Sequence, residues 1–137
     1  MNFSRRDFVA ALVCSGTGVA FAAEQGGAAA SGEQHPVFVV ATIEVKPGKR
    51  AEFVEIFKSN VPNVVAEEGC IFYEPVIDSE SGIGAQAPLR SDVMTVIEKW
   101  ESIEALRAHL QAPHMAVYRE KVKDLVAKTT LNIMQPA

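Results

Sequence analysis

From residue 37 onward the hydrophobic positions switch between a period of two and a period of three to four, and each switch marks a new element. Residues 37–45 are a run of β-branched and aromatic side chains closed by Lys46-Pro47-Gly48, a first strand with its turn. Over residues 49–68, Phe53, Ile56, Phe57, Val61, Val64 and Val65 recur at helical spacing while Glu52, Glu55 and Lys58 fall between them, which predicts an amphipathic helix. Pro62 lacks a backbone donor and is expected to bend or divide that helix, and Gly69 to end it in a left-handed conformation. Residues 70–78 read as a second strand, 79–91 as a long connection forming a pocket rim, and 92–100 as a third strand. Ser102 caps a short helix to about Gln111. Pro113 opens another that carries Val117, Tyr118, Val122, Leu125 and Val126 inward as far as Lys128, and residues 129–134 form the last strand.

The order β-α-β-β-α-β, with the second helix broken in two, is the ferredoxin-like pattern of the α+β class: helices over one face of a four-stranded antiparallel sheet. On the first strand Val37, Val39, Ala41 and Ile43 oppose Phe38 and Val40, so both faces are apolar. The simplest cover for the second face is another copy, a symmetric homodimer with sheets packed together in a barrel-like assembly. No internal repeat or second domain is visible.

The 137-residue chain begins differently. Ser4-Arg5-Arg6-Asp7-Phe8 precedes a small, modestly apolar tract ending near Ala20-Phe21-Ala22, which resembles a bacterial twin-arginine export leader. The expected organisation is a signal peptide over 1–22, a flexible linker of Gly, Ala, Ser and Glu over 23–36, and a domain over 37–137, with a periplasmic location. The tract is too short and too rich in Ala and Gly for a stable membrane anchor, and the bulky Val13 before Cys14 argues against a lipoprotein site. Charge narrows the partners. The chain has 13 basic and 17 acidic residues, and loss of Arg5, Arg6 and Asp7 with the leader leaves 11 and 16 with no basic stripe, which argues against nucleic acid. Cys70, alone after the leader is removed, makes no internal disulfide and reads as a small buried hydrophobe at a strand start.

Alternation in the third strand puts Met94, Val96, Glu98 and Trp100 on one side, facing either a pocket or a dimer partner. His109 borders the buried stripe of the next helix, and His114 and Tyr118 share a face of the one after. Singly, Trp100 reads as readily as core, Glu98 as an ion-pair partner and each histidine as a packed or solvated residue. Together they can line a pocket for a flat organic ring, in which a neutral imidazole takes a proton from a phenol or hydroquinone. Electron transfer from the phenolate to oxygen then requires no protein-bound metal. A metal triad of His109, His114 and Glu98 is the other reading, but it lacks a short rigid ligand motif. Nucleotide-binding glycine loops and a Gly-x-Ser-x-Gly elbow are absent from the sequence.

Several blocks carry a resemblance: Val61-Pro62 with Glu67-Glu68-Gly69-Cys70, Tyr73-x-Pro75-x-x-Asp78, Ile97-Glu98-x-Trp100-Glu101-Ser102-Ile103, His109-Leu110-Gln111-x-Pro113-His114-Met115, and Leu131-Asn132-Ile133-Met134-Gln135-Pro136. In this order and spacing the chain from residue 37 resembles the antibiotic biosynthesis monooxygenase domain family, and within it the bacterial quinol monooxygenase branch. The resemblance implies a dimer that oxidises an aromatic small molecule, a hydroquinone or polyphenol, with molecular oxygen and without flavin, haem or metal. It gives His109 and His114 proton-transfer roles, and Trp100, Tyr73 and Tyr118 wall or orienting roles. Asn60 is placed to orient a substrate oxygen, and Glu98 to contact the substrate. The chain departs from the quinol branch at Ile71-Phe72, where that branch tends to show His-Gly, a change expected to narrow the cavity or alter its substrate. A haem-degrading branch places His ten residues after the strand Trp and Asn on the first strand; here those features are Leu110 and a strand without Asn. A dimeric quinone-binding or stress-response module without turnover is the non-enzymatic alternative.

Overall fold

The computed structural model describes residues 34–137; the leader, and the linker up to residue 33, lie outside the described residues. The described chain runs β1 (Val37–Val45), α1 (Arg50–Val65), β2 (Cys70–Val76), β3 (Val93–Trp100), α2 (Ile103–Gln111), α3 (Pro113–Val122) and β4 (Val126–Met134). The strands form one antiparallel sheet in the order β2-β3-β1-β4, the ferredoxin-like arrangement. Among the described residues no helix is long and apolar enough to cross a membrane.

Alternation decides what the sheet buries. Val37, Val39, Ala41, Ile43 and Val45 of β1, with Met94, Val96, Glu98 and Trp100 of β3, turn toward the helices and are buried. Phe53, Phe57 and Val64 of α1, Leu106 and His109 of α2, and Met115, Tyr118 and Val122 of α3 close over them. The helices leave β4 uncovered, so Leu131 and Ile133, paired with Ala41 and Val39, remain exposed on the helix side. Asp92 accepts from the Gly48 backbone at 3.1 Å, tying the β1 turn to the entry of β3, and Ser102 caps α2 by accepting from Ala105 N.

Four expectations change. Helix α1 is not divided at Pro62 but continues through it to Val65; the carbonyl deprived of its partner belongs to exposed Lys58, where water can serve it. Val65, expected in the buried stripe, is exposed. Helix α3 stops at Val122 rather than Lys128, because residues 126–134 pair with β1 and Lys46 N donates to Leu125 O at 2.8 Å. A sheet partner overrides the continuing helical spacing, and Val117 lies exposed. The 79–91 connection rims neither the cavity between sheet and helices nor the one between α1 and α3. It is pinned on itself by Arg90, whose Nε and Nη2 donate to Asp78 at 2.9 and 2.6 Å.

Candidate active site

A cavity of about 400 Å³ lies between the helix side of the sheet and α3, opening over β4. It exists because α3 stands away from β4 and because the floor position between Val39 and Ile43 is the small Ala41. Its walls are chiefly apolar, and into them project Tyr73 of β2, Glu98 of β3, His109 of α2 and Tyr118 of α3, with Arg119 and Lys123 at α3. Register sets part of this geometry, since Tyr73 and Glu98 are direct cross-strand partners and share a face. The rings pack mutually: Phe57 stacks on Tyr73 at 5.9 Å and meets Tyr118 edge-on at 5.5 Å, while Tyr73 lies 5.6 Å from the His109 ring.

Electrostatics separates the roles of these groups. His109 is buried, and its Nδ1 lies 2.9 Å from Glu67 Oε1. A carboxylate oxygen only accepts, so Nδ1 carries the hydrogen and the neutral ring keeps its lone pair on Nε2. Burial lowers the pKa of His109 below the ordinary imidazole value, while the hydrogen bond and charge of Glu67 pull upward and His114 and Arg119 add to the fall. Near neutral pH His109 is therefore a base. Burial pushes the Glu98 carboxyl up to about 7 against the hydrogen bond from Trp100, with the Glu67 charge adding to the rise. The Trp100 indole donates to Glu98 Oε2 at 2.9 Å, fixing the carboxyl in its buried position. Burial also holds Tyr73 and Tyr118 above the ordinary tyrosine range, so both present phenol donors rather than phenolates.

A family model described as antibiotic biosynthesis monooxygenase matches residues 36–121. "Probable quinol monooxygenase YgiN" of Escherichia coli is 42% identical over 100 residues, spanning 72% of this chain and 95% of its own. The chain belongs to the antibiotic biosynthesis monooxygenase family. An uncharacterised Synechocystis protein is 31% identical over 100 residues, 71% of this chain and 60% of its own. Among solved structures, a Caulobacter crescentus protein whose name places it among antibiotic biosynthesis monooxygenases aligns with a TM-score of 0.64 at 24% identity, over 76% of this chain and 92% of its own. A conserved protein from Methanosarcina mazei gives 0.63 at 27%, over 76% and 95%.

In this antibiotic biosynthesis monooxygenase domain the residues singled out by sequence divide between two cavities. Tyr73, Glu98, His109 and Tyr118 line the large one. Asn60 and His114 instead line a smaller cavity of about 160 Å³ between α1 and α3, which shares Tyr118 with the first. Trp100 does not line either; it is wholly buried behind the large cavity with its indole 4.6 Å from the His109 ring, so it supports the wall instead of forming it. The histidines and Glu98 do not form the triad of the metal reading, because both histidines converge on Glu67, and among the described residues no group of three or more His, Cys, Asp or Glu is arranged to hold a metal. Ile71 and Phe72 are half-exposed and line neither cavity; Phe72 pairs with Lys99 on the opposite face of the sheet. The expected narrowing of the cavity by these two residues does not occur within this chain.

Glu67, the carboxylate on which both histidines converge, enters the sequence reading only within the Glu67-Glu68-Gly69-Cys70 block and is given no role there. One clue was available. An acid just beyond the Ala66 C-cap sits at the negative end of the helix dipole, an unfavourable place unless a proton donor waits nearby. Phe57, read as core, also forms cavity wall.

Proposed function

We propose that this protein is a cofactor-independent monooxygenase that oxidises a hydroquinone or polyphenol with molecular oxygen. The observation that carries the reading is a neutral, buried His109 held by Glu67 in an apolar, aromatic-walled cavity beside a carboxyl whose pKa is about 7. The 42% identity to a protein named a probable quinol monooxygenase supports it.

His109 Nε2 takes a hydroxyl proton, and the hydroquinonate formed gives one electron to oxygen. Recombination of semiquinone and superoxide at a ring carbon forms a peroxide, protonated by the His109 imidazolium. The O–O bond then breaks as Glu98 supplies the proton that turns the leaving hydroxide into water, and the hydrogen lost from the same ring carbon restores Glu98. Hydroquinone and oxygen thus become a hydroxyquinone and water, with no further reductant. Tyr73 and Tyr118 orient the substrate oxygens as donors, and the dry walls strengthen each charge interaction.

The exposed sheet face is covered in this reading by a second copy, giving a homodimer, and the Arg5-Arg6 leader directs the folded protein to the periplasm. The test is oxygen uptake by metal-stripped mature protein against a panel of hydroquinones and catechols, with heat-inactivated protein correcting for autoxidation. Saturable, protein-dependent uptake that falls by roughly 100-fold or more in His109→Ala is expected for loss of a general base. Absence of uptake across the panel, with saturable quinone binding retained, would replace this reading with that of a binding module.

A further inference from the structure

The oxidation proposed above leaves one proton to be disposed of. A hydroxyquinone is a vinylogous carboxylic acid, ionised at neutral pH, so each turnover releases a proton inside an apolar cavity. Three side chains lead away from that cavity. His109 Nδ1 lies 2.9 Å from Glu67 Oε1, and His114 Nε2 lies 2.8 Å from the same oxygen. The second contact has the distance of an ion pair without hydrogen-bond alignment, and His114 Nε2 is buried with no hydrogen-bond partner. On its other side the His114 ring faces Asn60, whose Oδ1 lies 3.2 Å from Nδ1. That amide is oriented, because Asn60 Nδ2 donates to Met115 Sδ at 3.3 Å and Oδ1 accepts from Asn63 at 3.0 Å. Asn60 Oδ1 therefore receives the Nδ1 hydrogen of His114, and the lone pair of a neutral His114 points at Glu67.

From this juxtaposition we infer that Glu67 is a proton-relay carboxylate, joining His109 in the large cavity to His114 in the small one and thence to solvent. The inference rests on the oxidation reading for its direction of flow. His109 accepts a proton at Nε2 and releases the one on Nδ1 to Glu67 Oε1. A slight turn of either side chain brings that proton into line with His114 Nε2. The ring of His114, 24% exposed, then loses its Nδ1 proton to water in the small cavity. Protons are conserved at each transfer, one entering at His109 for each leaving at His114; each passage leaves both imidazoles in the opposite tautomer, so exchange of their ring protons with water in the emptied cavities precedes the next turnover. The route differs from one through the mouth of the large cavity, where Arg119 and Lys123 would oppose a departing cation. Other ionisable groups facing the relay are Glu98, Tyr73 and Tyr118 at the large cavity and Lys121 at the small one, a single cation there against the two at the mouth of the large cavity.

Two measurements on the full mature protein test this. In ¹⁵N imidazole NMR titrations, the His109 titration is expected to change both in His114→Ala and in Glu67→Gln, which keeps the shape and the acceptor for His109. A His109 titration unchanged by both Glu67→Gln and His114→Ala overturns the relay. In oxygen uptake, Glu67→Gln and His114→Ala are expected to lower kcat at least tenfold with KM within twofold. Added imidazole should restore His114→Ala in proportion to its neutral fraction and leave Glu67→Gln unrestored, a response that a merely structural role would not give. Wild-type kcat in a folded His114→Ala, or no rescue, also overturns it. If wild type consumes no oxygen, the oxidation reading falls, and the NMR titrations alone decide whether the three groups share a proton.

Discussion

Glu98 is a carboxyl placed where ionisation is costly, and the cost has a sign that can be checked. Its folded pKa of about 7 stands above the ordinary 4.5, so between these values the folded state holds more protons than the unfolded one. Stability conferred by the protonated form is therefore complete below pH 4.5 and is lost as pH rises through about 7, by roughly 3 kcal/mol at most. Glu98→Gln keeps an acceptor for Trp100 and cannot ionise. We predict that the variant melts above wild type at pH 8 and that this advantage disappears near pH 4.5; thermal unfolding at the two pH values measures it, and parallel melting curves would refute a raised Glu98. The rate carries the same signature. In the proposed reaction turnover should rise with pH as His109 becomes neutral, somewhere below 6.5, and fall through about 7 as Glu98 loses the proton assigned to the O–O cleavage step. In Glu98→Gln the alkaline fall should vanish from whatever activity persists; a rate that climbs steadily through pH 8 in wild type would make Glu98 the base instead. At this scale the sequence was partly legible. Alternation placed Glu98 and Trp100 on one face, but nothing local joins Glu67 to a histidine 42 residues away, and nothing local sends His114 to a different cavity from His109. Only the packing of α1 against α3 does that.

The elements meet most tightly where α1 ends. Gly69 holds φ at +81°, and a Cβ built there would stand 2.5 Å from the Ala105 Cβ of α2. The same turn accepts the Glu101 backbone hydrogen bond at Gly69 O, 2.9 Å, so α2 is seated directly on it. Gly69→Ala thus combines a left-handed alanine with an overpacked helix contact, together about 2–4 kcal/mol of lost stability. Because Glu67 lies two residues earlier and His109 is on α2, the displacement should also loosen the Glu67–His109 bond. We expect a lower melting temperature together with reduced kcat; a variant as stable as wild type would show that the turn yields without effect. The glycine was legible as a left-handed helix stop, because the need for a positive φ is local. The α3–β4 boundary was not, because Leu125 and Val126 fit a helical stripe equally well, and pairing with Val45 and Lys46 decides their state from afar. The long connection illustrates the opposite error: its length was read as function, yet Arg90 and Asp78 close it away from either cavity. Arg90→Ala should accordingly leave oxygen uptake within twofold of wild type.

Across the whole sheet, the face turned away from the helices is apolar at one end and polar at the other. Register aligns Phe72, Lys99, Phe38 and Met134 in one rung and Glu74, Ile97, Val40 and Asn132 in the next, whereas Val76, Thr95, Thr42 and Thr130 follow. Phe38, Phe72, Ile97 and Met134 are all substantially exposed, and the Lys99 amino group lies 5.1 Å above the Phe38 ring, covering only part of it. Burying such a patch against its own copy removes apolar surface from water at about 25 cal/mol per Å², and antiparallel two-fold packing repeats every favourable contact. Sedimentation velocity should therefore find the mature protein as a dimer. Ile97→Lys introduces a second cation beside Lys99 at the centre of the patch, and should yield a folded monomer, because Ile97 points away from the core. Tyr73, Glu98, His109 and Tyr118 all belong to one chain, so turnover in that monomer should remain within tenfold of wild type. Complete loss of turnover from a well-folded monomer would instead mean that packing of the second copy on the far face of the sheet holds Tyr73 and Glu98, on its helix side, in their working positions.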